Sequence, residues 1–178
     1  MKKNFIAVAI ATASTLSGAS AFAEGGDGKV NFKGEIIDSA CNVVNSVSSP
    51  LDVTLGKVSK TAFNGAGSTS APTKFTLQLK DCPESVTGAT VKFDGTPVAT
   101  DNSLLALTTE AGVATGVGIQ LSDNSDKVLP LFTSSASYPL TSGTAVNNLD
   151  FVARYVATSE TITPGPANSV ANFTVNYN

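Results

Sequence analysis

Apolar and polar residues alternate along much of this chain with a period of two, the spacing that sends successive side chains to opposite faces of an extended strand. Gly28, Val30, Phe32, Gly34 and Ile36 share one parity, and Lys29, Asn31, Lys33 and Glu35 share the other. Leu51, Val53 and Leu55 alternate with Asp52 and Thr54 and predict a second strand, and Phe75-Thr76-Leu77-Gln78-Leu79 is the cleanest alternation in the first half. Val91-Lys92-Phe93 running into Asp94-Gly95 predicts a strand and turn. Val117 to Leu121 gives another strand, followed by a turn at Ser122 to Asp126 and then Val128-Leu129-Pro130-Leu131. Leu149 to Val156 is the longest candidate. Leu149, Phe151, Ala153 and Tyr155 lie on one face, and Val152 and Val156 make the second face partly apolar, so this strand is expected inside a sheet. The last strand runs from Val170 to Tyr177, with Ala171, Phe173, Val175 and Tyr177 on one face. Residues 61–73, rich in Gly, Ser, Thr and Ala, read as a loop, and Thr163-Pro164-Gly165-Pro166 breaks the chain sharply. No stretch beyond the first 23 residues sustains a helical period, so the pattern predicts an all-β chain, a β-sandwich of short strands.

The two ends of the pattern belong together. Two of the five apolar-side positions of the first strand are glycine, which weakens it as a core strand but suits close approach of another backbone. The plainer reading makes it the first strand of its own domain. At the far end, however, the sequence stops at Asn178 directly after an apolar strand, with nothing further to cover that edge. A long apolar edge is an aggregation hazard that proteins usually blunt. The expectation is an incomplete sandwich whose missing strand comes from a neighbouring molecule, with Val30, Phe32, Gly34 and Ile36 as the donated face.

Composition sharpens this reading. Lys2 and Lys3, an apolar run from Phe5 to Ala11, and Ala21-Phe22-Ala23 have the three parts of a secretory signal, with cleavage expected after Ala23. Thr12, Ser14, Thr15 and Ser17 interrupt the run too early for a membrane span, which needs about 18 apolar residues, so the mature form is expected not to span a membrane. Removing 23 residues, Lys2 and Lys3 among them, leaves 155 residues and a net charge of −5 in place of −3. That is the length of one domain with a sizeable core, and an acidic chain with no basic cluster argues against nucleic acid. The expected organisation is a signal peptide over 1–23, a donor-strand extension over 24–37 and one domain over 38–178. Cys41 and Cys82 are the two cysteines. In an oxidising compartment an even count points to one disulfide. Two free thiols are the alternative, and a zinc pair falls short of ligands in a chain without histidine.

The absence of histidine also excludes Ser-His-Asp and Cys-His catalysis. Asp123 and Asp126 are a formal carboxylate pair for glycoside hydrolysis, but they sit in a Ser/Asn turn and read as solvated turn residues. Gly116-x-Gly118 is a fragment of a nucleotide motif without its third glycine or helix, and Asn172-Phe173-Thr174 matches a glycosylation pattern inside a predicted strand. The sequence thus predicts no enzyme and no cofactor.

Several stretches carry a resemblance: Val30-Asn31-Phe32-Lys33-Gly34-Glu35-Ile36-Ile37-Asp38 running to Ala40-Cys41, Gln78-Leu79-Lys80-Asp81-Cys82, Phe151-Val152-Ala153-Arg154-Tyr155, Thr163-Pro164-Gly165, and the ending Phe173-Thr174-Val175-Asn176-Tyr177-Asn178. Over essentially the whole mature chain the sequence resembles the pilin subunits of chaperone–usher fimbriae, those of type 1 fimbriae in particular. Its most specific marks are the tyrosine second from the end, the glycine fourteenth from the end and the spaced cysteine pair.

The resemblance implies an immunoglobulin-like fold lacking its last strand. The gap would be filled first by a periplasmic chaperone and then, at an outer-membrane usher, by the extension of the next subunit. Carried over, Val30, Phe32, Gly34 and Ile36 match the donor strand, Phe173, Val175 and Tyr177 match the edge strand of the groove, and Gly165 matches the family glycine upstream. The implied role is the major shaft subunit, a homopolymer exported through the periplasm to the cell surface. The alternatives are a minor or adaptor subunit and, fitting less well, a self-contained binding module. The match is weakest over 46–70 and 134–148.

Overall fold

Nine strands are laid out in two sheets in the computed structural model, which describes residues 29–34, 36, 40–99 and 101–178. They are β1 (Asn42–Val43), β2 (Thr73–Lys80), β3 (Gly88–Asp94), β4 (Pro97–Val98), β5 (Asp101–Leu105), β6 (Val117–Asp123), β7 (Tyr138–Pro139), β8 (Asn147–Ala157) and β9 (Asn172–Tyr177). One sheet has the order β1-β2-β8-β6-β5-β4 and the other β7-β3-β9, with every pairing antiparallel. The unit that carries this fold spans Ile36–Asn178. The proposed signal peptide, together with Gly28, Glu35, Ile37 and Asp38, lies outside the described residues.

The core forms where the inward parities of the two sheets meet. Leu77 and Leu79 of β2, Leu149, Phe151 and Ala153 of β8, and Ile119 and Leu121 of β6 are buried against Ala89, Val91 and Phe93 of β3. Phe93 meets Phe151 edge-on at 5.1 Å between ring centroids, and Phe75 stacks on Phe151 at 5.7 Å, geometries that add about 0.5–1.5 kcal/mol beyond the area buried. β8 lies between β2 and β6 as its two apolar faces predict, and on its second face Val152 and Val156 are buried as well. The loop before β2 lies along β8, where the Tyr155 amide donates to Ser70 Oγ and the Ser70 amide to the Tyr155 carbonyl.

Four details differ from the sequence pattern. Leu51 to Leu55 keeps the expected alternation only in part, with Val53 and Leu55 half-buried but Leu51 exposed like Asp52 and Thr54, and it belongs to neither sheet. Val128 to Leu131 makes only an isolated bridge to β6, although Leu129 and Leu131 are buried. The short β1, β4 and β7 and the Asp101–Leu105 strand have no alternation to announce them, because two-residue pairings and a Leu104-Leu105 doublet carry no period. The 61–73 loop holds a 3-10 turn at Lys60–Ala62, with Ser59 capping it through Oγ to the Thr61 amide.

Residues 29–34 form no strand. Val30, Phe32 and Ile36 are 75, 93 and 98 % exposed, and nothing approaches within 4 Å of the place a Cβ would take on Gly34.

Candidate functional site

Sheet edges expose unpaired N–H and C=O groups, and proteins keep such edges short or proline-bearing. Three of the four edges here follow that rule: β1, β4 and β7 are two residues long, and β4 and β7 contain Pro97 and Pro139. The fourth does not. β9 has six residues, no proline, and no strand on its outer side among those described.

The register fixes what this edge presents. Gly88 and Asn178 exchange both backbone hydrogen bonds, at 2.8 and 2.9 Å. Hydrogen-bonded pairs alternate along an antiparallel ladder, so Thr90–Asn176, Lys92–Thr174 and Asp94–Asn172 are the other bonded pairs of the β3–β9 register. Phe173, Val175 and Tyr177 therefore turn their own N–H and C=O groups to the open side. Their side chains pack on the core but stay half-buried, as do those of Ala167 and Ala171.

A second uncovered row lies in residues 50–58. Among the described residues none of its backbone groups takes part in a backbone hydrogen bond. Leu55 and Phe63 pack against the same core cluster and are also only half-buried.

The Tyr177 hydroxyl donates to the Cys41 carbonyl oxygen at 3.4 Å. A cavity of about 450 Å³ is lined by Gly56, Val58, Phe63, Ile162, Pro164 and Ala167. The open side of β9 is thus a slot with half-buried apolar side chains beside it and a row of free amides and carbonyls along its β9 lip, which is what an added β-strand needs.

The neighbouring segments are held by further contacts. A disulfide joins Cys41 to Cys82, both buried, at the open ends of β1 and β2. Residues 163–169 are laced to 106–115 by Ala114 N–H to Pro166 O at 2.8 Å, Thr108 N–H to Asn168 O at 2.8 Å and a Thr115–Thr163 bridge, while the Tyr155 hydroxyl reaches Ala167 O at 2.9 Å. Gly165 makes this possible: a Cβ there would overlap the Gly112 carbonyl oxygen and come within 2.6 Å of the Ala114 nitrogen. Burial pushes the Tyr177 hydroxyl up from its ordinary pKa, the bond to Cys41 opposing it, and burial pushes Tyr155 up as well. Both phenols stay protonated and donating.

The structure places Phe173, Val175 and Tyr177 on the open β9 edge, with Tyr177 bonded to Cys41, and Gly165 on the cavity beside Ala167. Val30, Phe32, Gly34 and Ile36 of the same chain form no part of a sheet. The 50–58 segment was visible in the sequence only as the Leu51-Val53-Leu55 alternation; its free backbone was not. The carboxylates considered for catalysis are occupied structurally, since Asp123 Oδ1 accepts from the Ser125 and Lys127 amides and Asp126 pairs with Arg154. No group of three or more metal-ligating side chains occurs among the described residues.

Comparison with known proteins points the same way. A family model described as "Fimbrial protein" matches residues 30–178. The chain is 41 % identical over 180 residues to "Long polar fimbria protein A" of Salmonella typhimurium, covering 99 % of this chain and 97 % of that protein. It is 39 % identical over 178 residues to the "Probable major fimbrial subunit LpfA" of Escherichia coli O157:H7, again covering 99 % and 97 %. Among solved structures, the type I fimbria protein and antigen of Burkholderia pseudomallei superposes with a TM-score of 0.58 at 38 % identity, over 79 % of this chain and 91 % of that one.

Proposed function

The chain belongs to the fimbrial protein family, is a structural fimbrial subunit with an immunoglobulin-like pilin fold rather than an enzyme, and from that premise we propose that it polymerises by donor-strand exchange as the major shaft subunit. The 24–37 extension of each incoming subunit fills the slot of the subunit before it, laying Val30, Phe32 and Ile36 beside β9, with the 50–58 segment as the other lip. In this joint Gly34 sits where the acceptor slot leaves no room for a side chain. Before assembly a periplasmic chaperone occupies the slot through the Phe173, Val175 and Tyr177 edge, and an outer-membrane usher receives the complex for display at the cell surface.

One observation carries this reading: the six-residue β9 edge presents unpaired backbone groups beside half-buried apolar side chains, while Val30, Phe32 and Ile36 of the same chain are exposed. Each of Val30, Phe32 and Ile36 contributes about 1.5–3 kcal/mol at most on burial, and each new backbone bond adds about 1 kcal/mol net. The joint should therefore dissociate very slowly. The shaft role draws support from the likeness to a probable major subunit.

The test is the mature subunit produced alone and with a cognate chaperone. Alone it should aggregate or slowly fill its own slot; with the chaperone it should run as a soluble one-to-one complex on size-exclusion chromatography. A stable lone monomer whose N-terminal strand lies outside its own slot rules the reading out. Subunit counting in purified fibres then separates a shaft component from an adaptor.

A further inference from the structure

Asn64-Gly65 is the only Asn-Gly pair in the chain, and it lies in the exposed loop between the 3-10 turn and β2. We propose that it is a self-modification site, where the folded protein converts Asn64 through a succinimide to aspartate and isoaspartate. The proposal is independent of the fimbrial reading.

The chemistry needs only water and a weak base. The Gly65 amide nitrogen gives up its proton and attacks Asn64 Cγ. A bond forms between them, the Cγ–Nδ2 bond breaks and ammonia leaves with a proton. Water then opens the ring, at the side-chain carbonyl to give aspartate or at the main-chain carbonyl to give isoaspartate, whose backbone runs through Cβ. No electrons are exchanged.

The fold leaves the reacting atoms free while holding their surroundings. Among the described residues neither the Gly65 amide nor the Asn64 side chain has a hydrogen-bond partner. Gly65 has φ +111° and nothing within 4 Å of the place of a Cβ, so no side chain screens its nitrogen. The flanks are clasped by Ser68, whose Oγ accepts from the Asn64 amide at 3.1 Å and donates to the Gly65 carbonyl. These bonds touch neither Gly65 N nor Asn64 Cγ.

The nearest competitors in the chain are Asn-Ser pairs, and the structure restrains them. At Asn102-Ser103 and Asn124-Ser125 the attacking amide is already donated, to Asp101 Oδ1 and Asp123 Oδ1, each at 2.9 Å. At Asn45-Ser46 and Asn168-Ser169 the carboxamide is held, by the Gln78 amide at 2.8 Å and by Glu110 at 3.2 Å. Thermal lability is a property of Asn in general; here the structure singles out one.

Conversion adds a negative charge, and the isoaspartate form lengthens the backbone between half-buried Phe63 and Gly67, whose amide is bonded to Ala157 O at 2.8 Å. The experiment is to age the folded mature protein in mildly alkaline buffer beside a reduced and unfolded sample, following charge by isoelectric focusing and residue 64 by peptide mapping with enzymatic isoaspartate labelling. The expected result is an acidic form that grows in the folded sample, maps to Asn64 ahead of every Asn-Ser pair, and is absent in Asn64→Gln. The proposal is overturned if folded Asn64 keeps its amide while the unfolded chain loses it, or if an Asn-Ser site converts first.

Discussion

The Tyr177 hydroxyl donates to the main-chain carbonyl of Cys41 at 3.4 Å, joining the last strand to a point 136 residues earlier in the chain. The Cys41–Cys82 disulfide holds that carbonyl beside β2, so the end of β9 is tied to a covalent anchor.

The two parts of Tyr177 should separate experimentally. Tyr177→Phe removes one hydrogen bond, about 1 kcal/mol, and keeps the ring on the floor, so chaperone binding should weaken by no more than several-fold. Tyr177→Ser paired with Phe173→Ser removes the floor itself, and the complex should fall apart on size-exclusion chromatography. Equal loss in the two variants would assign the effect to the hydroxyl.

Gly165 has no room for a side chain, because the 112–114 backbone occupies the space. Gly165→Val must push the two segments apart, at a cost of about 1–3 kcal/mol as for overpacking elsewhere. Thermal unfolding of the chaperone-bound subunit should show the loss. Hydrogen exchange should show faster opening at Ala114 and Thr115, whose amides bond to Pro166 and Thr163. Unchanged protection there would contradict the packing argument.

The donor segment should be separable from the fold. Deleting residues 24–35 should leave chaperone binding intact and abolish addition to a growing fibre, and Gly34→Leu should slow assembly without altering the subunit's own unfolding curve. Polymerisation of the truncated subunit at the wild-type rate would show that another segment makes the joint.

Tyr138 gives a pH dependence. Its hydroxyl donates to Asp150 O at 2.8 Å, and burial, then the charges of Asp123 and Asp150, push its pKa up to about 12. The unfolded value is about 10, so the folded state holds the proton more tightly. The stabilisation is whole below pH of about 10 and is lost as pH rises through the folded value. Denaturant midpoints should decline across that window, and Tyr138→Phe should flatten the decline in part, since Tyr155 and Tyr177 are shifted in the same direction.

By itself the sequence determined which face of each alternating strand is buried. The parity of Phe75-Leu77-Leu79, of Leu149-Phe151-Ala153-Tyr155 and of Phe173-Val175-Tyr177 is a local property, because successive side chains must point to opposite sides, and the structure buries or half-buries each of those sets. It also placed β8 inside its sheet, since only a strand covered on both faces can afford Val152 and Val156. What parity leaves open is the lateral neighbour. Backbone hydrogen bonds run in the plane of the sheet and depend on a partner far away in sequence, so nothing in Leu51-Val53-Leu55 announced a segment that pairs with no strand, and nothing in Asp101–Leu105 announced one that does. The tertiary structure alone left β9 at an open edge and tied its end to Cys41, because that placement rests on long-range contacts: the β3–β9 ladder, the disulfide at Cys41 and the hydrogen bond from Tyr177.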